Sequence, residues 1–282
     1  MGHPLSRPLI SVCIPAYNAV ATIERTIRSV HDQGFDDLEI IVSDNASTDG
    51  TAELVEGLGL PGLRLVRQPR NLGMVRNYEA VIAASRGDFV KLLCADDTVY
   101  PGALEREARA LDSAPSAVVM VVARRDVVIP GRGRLPRSPR LRRASLIEKG
   151  SSLQRRIIVS GRNLIGEGQA ALVRGDVMRA SAARGLGDPY VVDLSLWFHV
   201  LDQGDVVHLR QVHGAFAVSR AAATWHMRDR QRTEVSEFLR ANAELRRVSR
   251  RLAHLGVMRA ALGGTLRRLV YRLAPGRPRS AS

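Results

Sequence analysis

Two adjacent carboxylates, Asp96 and Asp97, stand behind the apolar run Phe89-Val90-Lys91-Leu92-Leu93-Cys94 and just ahead of Pro101. Two anions side by side at the end of a strand call for a cation. A hard divalent ion, Mg²⁺ or Mn²⁺, suits one or two carboxylates and fills its remaining positions with the phosphate oxygens of a nucleotide. A solvated turn is the other reading of such a pair taken alone. Asp44 heads a second polar cluster, Asp44-Asn45-Ala46-Ser47-Thr48-Asp49-Gly50, and Pro15-Ala16-Tyr17-Asn18 forms a third, each directly behind an apolar stretch. Asp193 opens the amphipathic segment Asp193-Leu194-Ser195-Leu196-Trp197. A helix N-terminus favours a carboxylate there by roughly 0.3–1 kcal/mol, so a helix cap is its plain structural reading.

The elements that must position these groups follow from apolar periodicity. Strands are predicted at 8–14, 38–42, 63–66 and 88–93. Helices are predicted between them at 19–31, 51–58 and 74–85, with Ser47 or Thr48 capping the second, and at 102–111 with Pro101 in its first position. Regular strand–helix alternation implies a doubly wound, parallel sheet with right-handed crossovers. Every polar cluster then falls at the carboxyl edge of that sheet, where open α/β folds bind ligands. No Gly-x-Gly-x-x-Gly follows the first strand and no Gly-Lys-Ser/Thr loop exists, so the common dinucleotide and P-loop readings fail.

Further along, a strand is predicted at 118–123 and a surface loop at 124–143, which holds Pro130, Pro136, Pro139 and eight arginines. Helices follow at 151–160, 176–183 and 193–201, with Gly166-Glu167-Gly168 turning into a short strand and edge strands at 206–209 and 215–219. From Thr233 the pattern is helical. Arg246, Arg247, Arg250 and Arg251 fall on one side, and Leu252, Leu255, Val257, Met258 and Leu262 on the other.

The 282 residues are 45% hydrophobic, 25% charged and 4% aromatic, enough apolar content for a full core and too few rings for a single-strand nucleic-acid platform. The net charge of +14 is concentrated. Residues 1–123 carry 11 Lys/Arg against 16 Asp/Glu, residues 124–162 carry 12 against 2, and residues 239–282 carry 11 against 1. Such blocks attract anionic lipid, nucleic acid or phosphorylated substrates, or form a solvated basic surface. Cys13 and Cys94 fall in predicted strands, as suits reduced, buried thiols. No apolar run approaches the ~18 residues of a membrane span. A cytoplasmic protein is expected, or a peripheral one on the inner face of the plasma membrane, its basic C-terminal helix lying on anionic lipid or packed on the domain.

With these residues on the page, the first half resembles the family 2 glycosyltransferases. Its pieces are Pro15-Ala16-Tyr17-Asn18, the Glu39–Thr51 stretch, Asn71-Leu72-Gly73 with Arg76-Asn77, Arg86-Gly87-Asp88, and Ala95-Asp96-Asp97 with Pro101 downstream. The resemblance implies an α/β protein with the A-type glycosyltransferase fold, a doubly wound, mostly parallel sheet, here with a basic helical C-terminal extension. It divides the chain into a transferase domain at 1–232 (nucleotide-binding half 8–112, acceptor half 113–232) and an extension at 233–282. By the resemblance, Pro15, Tyr17, Asn18, Asp44, Arg76, Asn77 and Asp96 bind the nucleotide, with Asp96 on the ribose, while Asp97 holds Mg²⁺ or Mn²⁺ and Asp193 is the general base. The partners implied are a nucleotide-diphosphate sugar donor and a hydroxyl acceptor, free or lipid-linked. The reaction implied is displacement with inversion, serving glycan, glycolipid or cell-envelope polysaccharide synthesis. No nucleic acid is expected as a partner.

The chain departs from the family pattern in Cys94-Ala95-Asp96-Asp97, where Asp-x-Asp-Asp is usual, and in Val192-Asp193, where Glu-Asp is usual. Asp188, five residues ahead of Asp193, is the alternative base. The Gln-x-x-Arg-Trp element of processive members is absent, which implies a single-addition enzyme. His213 and His226 have no second ligand at metal spacing and read as structural or acceptor-side residues. Two rival functions are a nucleotidyltransferase, which would need a glycine-rich, lysine-bearing loop after the first strand, and a basic nucleic-acid or membrane-binding protein with an inactive transferase-like domain. The intact Asp96, Asp97 and Asp193 weigh against the latter.

Overall fold

The computed structural model describes residues 10–34, 37–129, 133–134, 147–218 and 230–273, with side chains described up to residue 264 of the last segment. Strands β1 (Ile10–Ala16), β2 (Leu38–Asp44), β3 (Leu63–Arg67) and β4 (Phe89–Leu92) pair in parallel in the order β3-β2-β1-β4. Helices α1 (Ile23–His31), α2 (Thr51–Gly57) and α3 (Met74–Ala83) make the crossovers. Every residue of β1 is buried, because a central parallel strand is covered on both faces and so reads as a continuous apolar run. In register, Ala16 lies opposite Asp44 and Asp44 opposite Arg67, which brings the strand ends level and their loops to one edge.

The second half completes the sheet with β5 (Thr98–Val99), β6 (Val118–Ile129), β7 (Gly133–Arg134), β8 (Ile147–Glu148), β9 (Ala171–Arg174) and β10 (Asp205–Ala217). β9 enters antiparallel between β4 and β6, β6 runs parallel to β10, and β5 closes that side antiparallel. Its helices are α4 (Ala103–Asp112), α5 (Gly150–Ser160), α6 (Gly175–Ala182), α7 (Val192–Leu201), α8 (Gln231–Leu245) and α9 (Arg250–Leu273). One apolar core joins the sheet to α1, α2 and α4; the other joins its opposite face to α3, α5, α6 and α7. The architecture is thus the doubly wound one the alternation implies.

Buried charge sits inside this core. Lys91 Nζ of β4 donates to Glu107 Oε2 of α4 at 2.7 Å and to Ala171 O of β9 at 3.2 Å. Glu107 Oε1 faces His213 Nδ1 of β10 at 3.0 Å, and all three side chains are fully enclosed. His213 is therefore a structural residue, while His226 lies outside the described residues.

Several expectations are corrected. The two edge strands at 206–209 and 215–219 are one interior strand, β10, with register shifts between His208 and Gly214 where Arg210-Gln211 read as a break. Arg124 and Arg125 belong to β6, which runs on to Ile129, and not to the loop predicted at 124–143. Apart from Arg134 the loop arginines beyond them lie outside the described residues, as do residues 1–9. Helix α2 is not capped by Ser47 or Thr48: Gly50 holds the N-cap at φ 88°, and Asp49 Oδ1 accepts from Thr51 N at 3.0 Å. Pro101 precedes α4, whose N-cap is Gly102 at φ 68°. The C-terminal helix is two helices, broken at Arg247, which adopts φ 53°. Its expected apolar side is also not the buried one. Ala253, Gly256, Ala260 and Gly264 face inward, while Leu255, Met258 and Leu262 are 37%, 53% and 73% exposed. The reason is close packing: a side chain on Gly256 would meet Ile158 O of α5, and one on Gly161 would meet Gly256 O, so only hydrogen fits at either position.

Candidate functional site

The chain turns directly after β4, at Cys94-Ala95-Asp96-Asp97, and α1 braces that turn. Thr26 Oγ1 donates to Ala95 O at 3.0 Å and to Asp97 O at 2.8 Å, and Arg25 Nη2 donates to Asp96 O at 3.0 Å. Asp97 is fully buried, its Oδ1 accepting from Ala217 N at the end of β10 at 2.9 Å. With the Gln169 amide turned so that its nitrogen faces the carboxylate, it donates to Asp97 Oδ2 at 3.3 Å. Burial, and then the adjoining charge of Asp96, hold the Asp97 carboxyl well above the usual carboxylate range. Asp96 is half-buried, and burial raises its pKa to about 6 against the opposing pull of a backbone N–H and Arg25.

The loops after β1 and β2 form the adjacent wall. Tyr17 is 50% exposed at the rim. Asp44 is buried, with Oδ2 accepting from Ser47 N at 3.1 Å and Oδ1 enclosed without a partner. Asn18, at φ 50°, latches the two loops: its N–H donates to Ser47 Oγ and its Oδ1 accepts from Thr48 N, both at 2.9 Å. Asn77 on α3 is buried and pinned by Ser43 Oγ at 2.6 Å and Ser43 O at 3.1 Å. Pro15 is a buried residue of β1 opposite Ser43. Arg76 is exposed, with only a 3.5 Å contact to Glu79. Of the residues predicted to face the nucleotide, Tyr17, Asp44, Arg76 and Asp96 thus have capacity left for a ligand, while Asn18 and Asn77 are spent on internal bonds.

Asp193 is the second residue of α7; Val191 holds the N-cap position and no side chain caps the helix. Its Oδ1 is enclosed without a hydrogen-bond partner. Burial first, and then the negative charge of Glu167, raise its pKa to about 7, with the Arg125 guanidinium pulling the other way. The charges of Glu167 and Arg125 act on Asp97 in the same senses, and those of Asp96, Asp97 and Asp193 all act on Cys94. The turn after β4 and the start of α7 therefore share one electrostatic neighbourhood. Asp188, the alternative base, is exposed in the turn ahead of α7.

Glu167 and Arg125 are the residues that sequence reasoning missed. They form an ion pair between the loop ahead of β9 and strand β6. Gly166, at φ 112°, makes room for it, since a side chain there would strike the Arg125 guanidinium. The loop is fixed from both sides. Asn163 Oδ1 accepts from Gly166 N at 2.9 Å, and the buried Trp197 of α7 donates through Nε1 to Gly166 O at 2.8 Å. A lone acid between two glycines carries no pattern of its own, and Arg125 was hidden among the arginines that follow it.

Comparison with known proteins bears on the family and the fold. The model of the family described as glycosyl transferase family 2 matches residues 11–174. An uncharacterized protein of Mycobacterium tuberculosis is 32% identical over 241 residues, 80% of this chain and 75% of its own length. The GalNAc(5)-diNAcBac-PP-undecaprenol beta-1,3-glucosyltransferase of Campylobacter jejuni is 36% identical over 100 residues, 34% of this chain and 32% of the relative. Among solved structures, S. aureus TarS 1–349 in complex with UDP-GlcNAc superimposes with a TM-score of 0.65 at 19% identity, covering 83% of this chain and 66% of that one. The mannosyltransferase PcManGT of Pyrobaculum calidifontis, in complex with GDP-Man and Mn²⁺, gives 0.62 at 20% identity, covering 95% of this chain and 76% of that one. These neighbours share the A-type glycosyltransferase fold. A family match over more than half of the sequence, joined by a relative aligned along most of both lengths, fixes the membership: the chain belongs to glycosyl transferase family 2 and is a glycosyltransferase.

Proposed function

We propose that the protein transfers a sugar from a nucleoside diphosphate sugar to an acceptor hydroxyl by metal-assisted displacement with inversion. The observation that carries this reading is the carboxylate of Asp193, enclosed, lacking a partner on Oδ1 and with a pKa of about 7, in the same neighbourhood as Asp96 and Asp97. A carboxylate of that acidity is half ionised near neutrality and suits proton abstraction from a hydroxyl. Tyr17 offers an exposed ring to a base, the free Oδ1 of Asp44 an acceptor to a base N–H, and Asp96 an acceptor to ribose hydroxyls. Asp188, exposed and apart, is the weaker candidate for base.

The site fits a divalent cation. Among the described residues, the four carboxylates of Asp96, Asp97, Asp193 and Glu167 are met by two guanidinium groups, Arg125 and, at Asp96, Arg25, so acidic groups outnumber basic ones. Among the described residues no three metal-binding side chains converge, so the ion would take Asp97, with Asp96 beside it, and complete its shell with diphosphate oxygens and water. When bound, such an ion neutralises the charge that gathers on the departing diphosphate. Mn²⁺ in the mannosyltransferase neighbour, and the nucleotide sugars in both neighbours, support the choice of partners. The undecaprenol-linked substrate in the Campylobacter relative's name supports a lipid-linked acceptor. In this reading residues 1–232 are the transferase domain and 233–282 its extension.

A thermal-shift series with UDP, GDP, dTDP and CDP, each with and without Mn²⁺, tests this. One diphosphate should stabilise the wild type only with the metal, by roughly 2.7 kcal/mol at a hundredfold excess over its Kd, and Asp97→Ala should not respond. A wild type that no diphosphate moves under any metal overturns the reading.

A further inference from the structure

Helix α9 has two faces of opposite design. Ala253, Gly256, Ala260 and Gly264 are buried against α5 and α8, with backbone-to-backbone contact at Gly161 and Gly256 and a bond from Arg259 Nη1 to Val159 O at 3.0 Å. On the other side Arg251, Leu255, Met258 and Leu262, spaced four, three and four residues apart, form one exposed stripe. Arg250 and His254 are exposed beside it. The helical backbone continues to Leu273, and the sequence repeats leucine at 266, 269 and 273 and arginine at 267, 268 and 272. A solvated terminal helix would turn its leucines inward; here the buried positions are small, of the described leucines only Leu252 reaches the core, and Leu255, Met258 and Leu262 are left out in water.

We propose that this face docks the protein onto an anionic lipid surface, with α9 lying in the interface plane. Charge selects the occupant. The segment 239–282 carries 11 Lys/Arg against 1 Asp/Glu, so pairing the same face with a second copy would bring two strongly basic surfaces together. Nucleic acid answers the arginines but offers no apolar bed for Leu255, Met258 and Leu262. Anionic lipid answers both, with headgroups for the arginines and acyl boundary for the stripe. No helix among the described residues is long and apolar enough to cross a membrane, which leaves the in-plane mode for α9. The docked hairpin also adjoins the acceptor side. Tyr190 N, in the turn leading to Asp193, donates to Glu234 Oε2 of α8 at 2.8 Å, and α5 packs on α7.

Co-sedimentation of the full chain with phosphatidylcholine vesicles, with and without phosphatidylglycerol, tests the proposal without any donor or metal, so its failure is separable from failure of the transferase reading. The wild type should pellet with the anionic vesicles only, and raised salt should weaken the binding. The exposed triple variant L255Q/M258Q/L262Q should lose about tenfold in affinity while keeping the wild-type melting temperature and its response to nucleotide. A second variant, Arg250→Gln with Arg251→Gln, should weaken binding to anionic vesicles as well. Wild-type protein that stays in solution with both vesicle types overturns the proposal. So does a dimer in light scattering that the triple variant turns into a monomer, or retention by duplex DNA under conditions where vesicles fail.

Discussion

Enclosing a carboxylate without giving it a full set of partners costs stability, and Asp193 is such a group. Its folded pKa of about 7 lies above the ~3.9 of a free aspartate. The cost is therefore absent below about pH 4, grows as the pH rises and is complete above pH 7, where it is on the order of a few kcal/mol. Asp193→Asn should raise the melting temperature at pH 8, leave it nearly unchanged at pH 4, and lower turnover by about 10²–10⁴. Equal stabilisation at both pH values would contradict this account. Glu167→Gln removes the like charge and leaves Arg125 to act on Asp193 alone, so the acid limb of the kcat/KM profile should move to lower pH; an unmoved limb would separate Glu167 from the base. Deeper in the core, Glu107→Gln strands Lys91 with no counter-charge and should cost about 3–5 kcal/mol in urea unfolding. At this scale the sequence placed Asp96 and Asp97 in the turn after a strand and Asp193 in the first turn of a helix, where the fold has them. It read His213 as structural or acceptor-side but named no partner for it, nor for Lys91 or Glu107, because the partners lie 16 and 106 residues apart along the chain.

Strands covered on both faces and helices buried on one were the easiest to read. β1, β2 and β4 show apolar runs because both their faces are covered, and the polar loops behind them announce the edge where ligands bind. Elements whose burial is mixed were misread. β10 bulges around Arg210-Gln211, and β6 carries Arg125 and Asp126 inside a strand because Glu167 and Arg134 supply partners from elsewhere in the fold. α9 was inverted for a different reason: glycine and alanine carry no hydrophobic signal, yet they allow the closest helix contact. Gly256→Ala would drive a methyl into Ile158 O, so it should loosen α9 from α5 and lower the melting temperature by several degrees, with new protease cleavage after Arg250 or Arg251. The same change at Gly263, where a side chain meets open space, is the matched control and should stabilise slightly if at all.

Across the whole molecule, charge is divided between jobs. The acidic first half carries Asp44, Asp96 and Asp97 at the edge of the sheet, while the basic blocks lie in the β6–α5 region and the C-terminal hairpin. This division was readable from composition, since it needs only counting; which surface each block occupies was not, because that depends on helix rotation. The glycine-to-glycine seam between α5 and α9 has a mechanical consequence. A tethered enzyme roams the length of its linker, whereas a hairpin packed this closely on the body would, in the docking proposed above, hold Asp193 at a set altitude over the lipid plane. On that proposal the molecule would work as a gauge, serving hydroxyls presented at one height above the lipid.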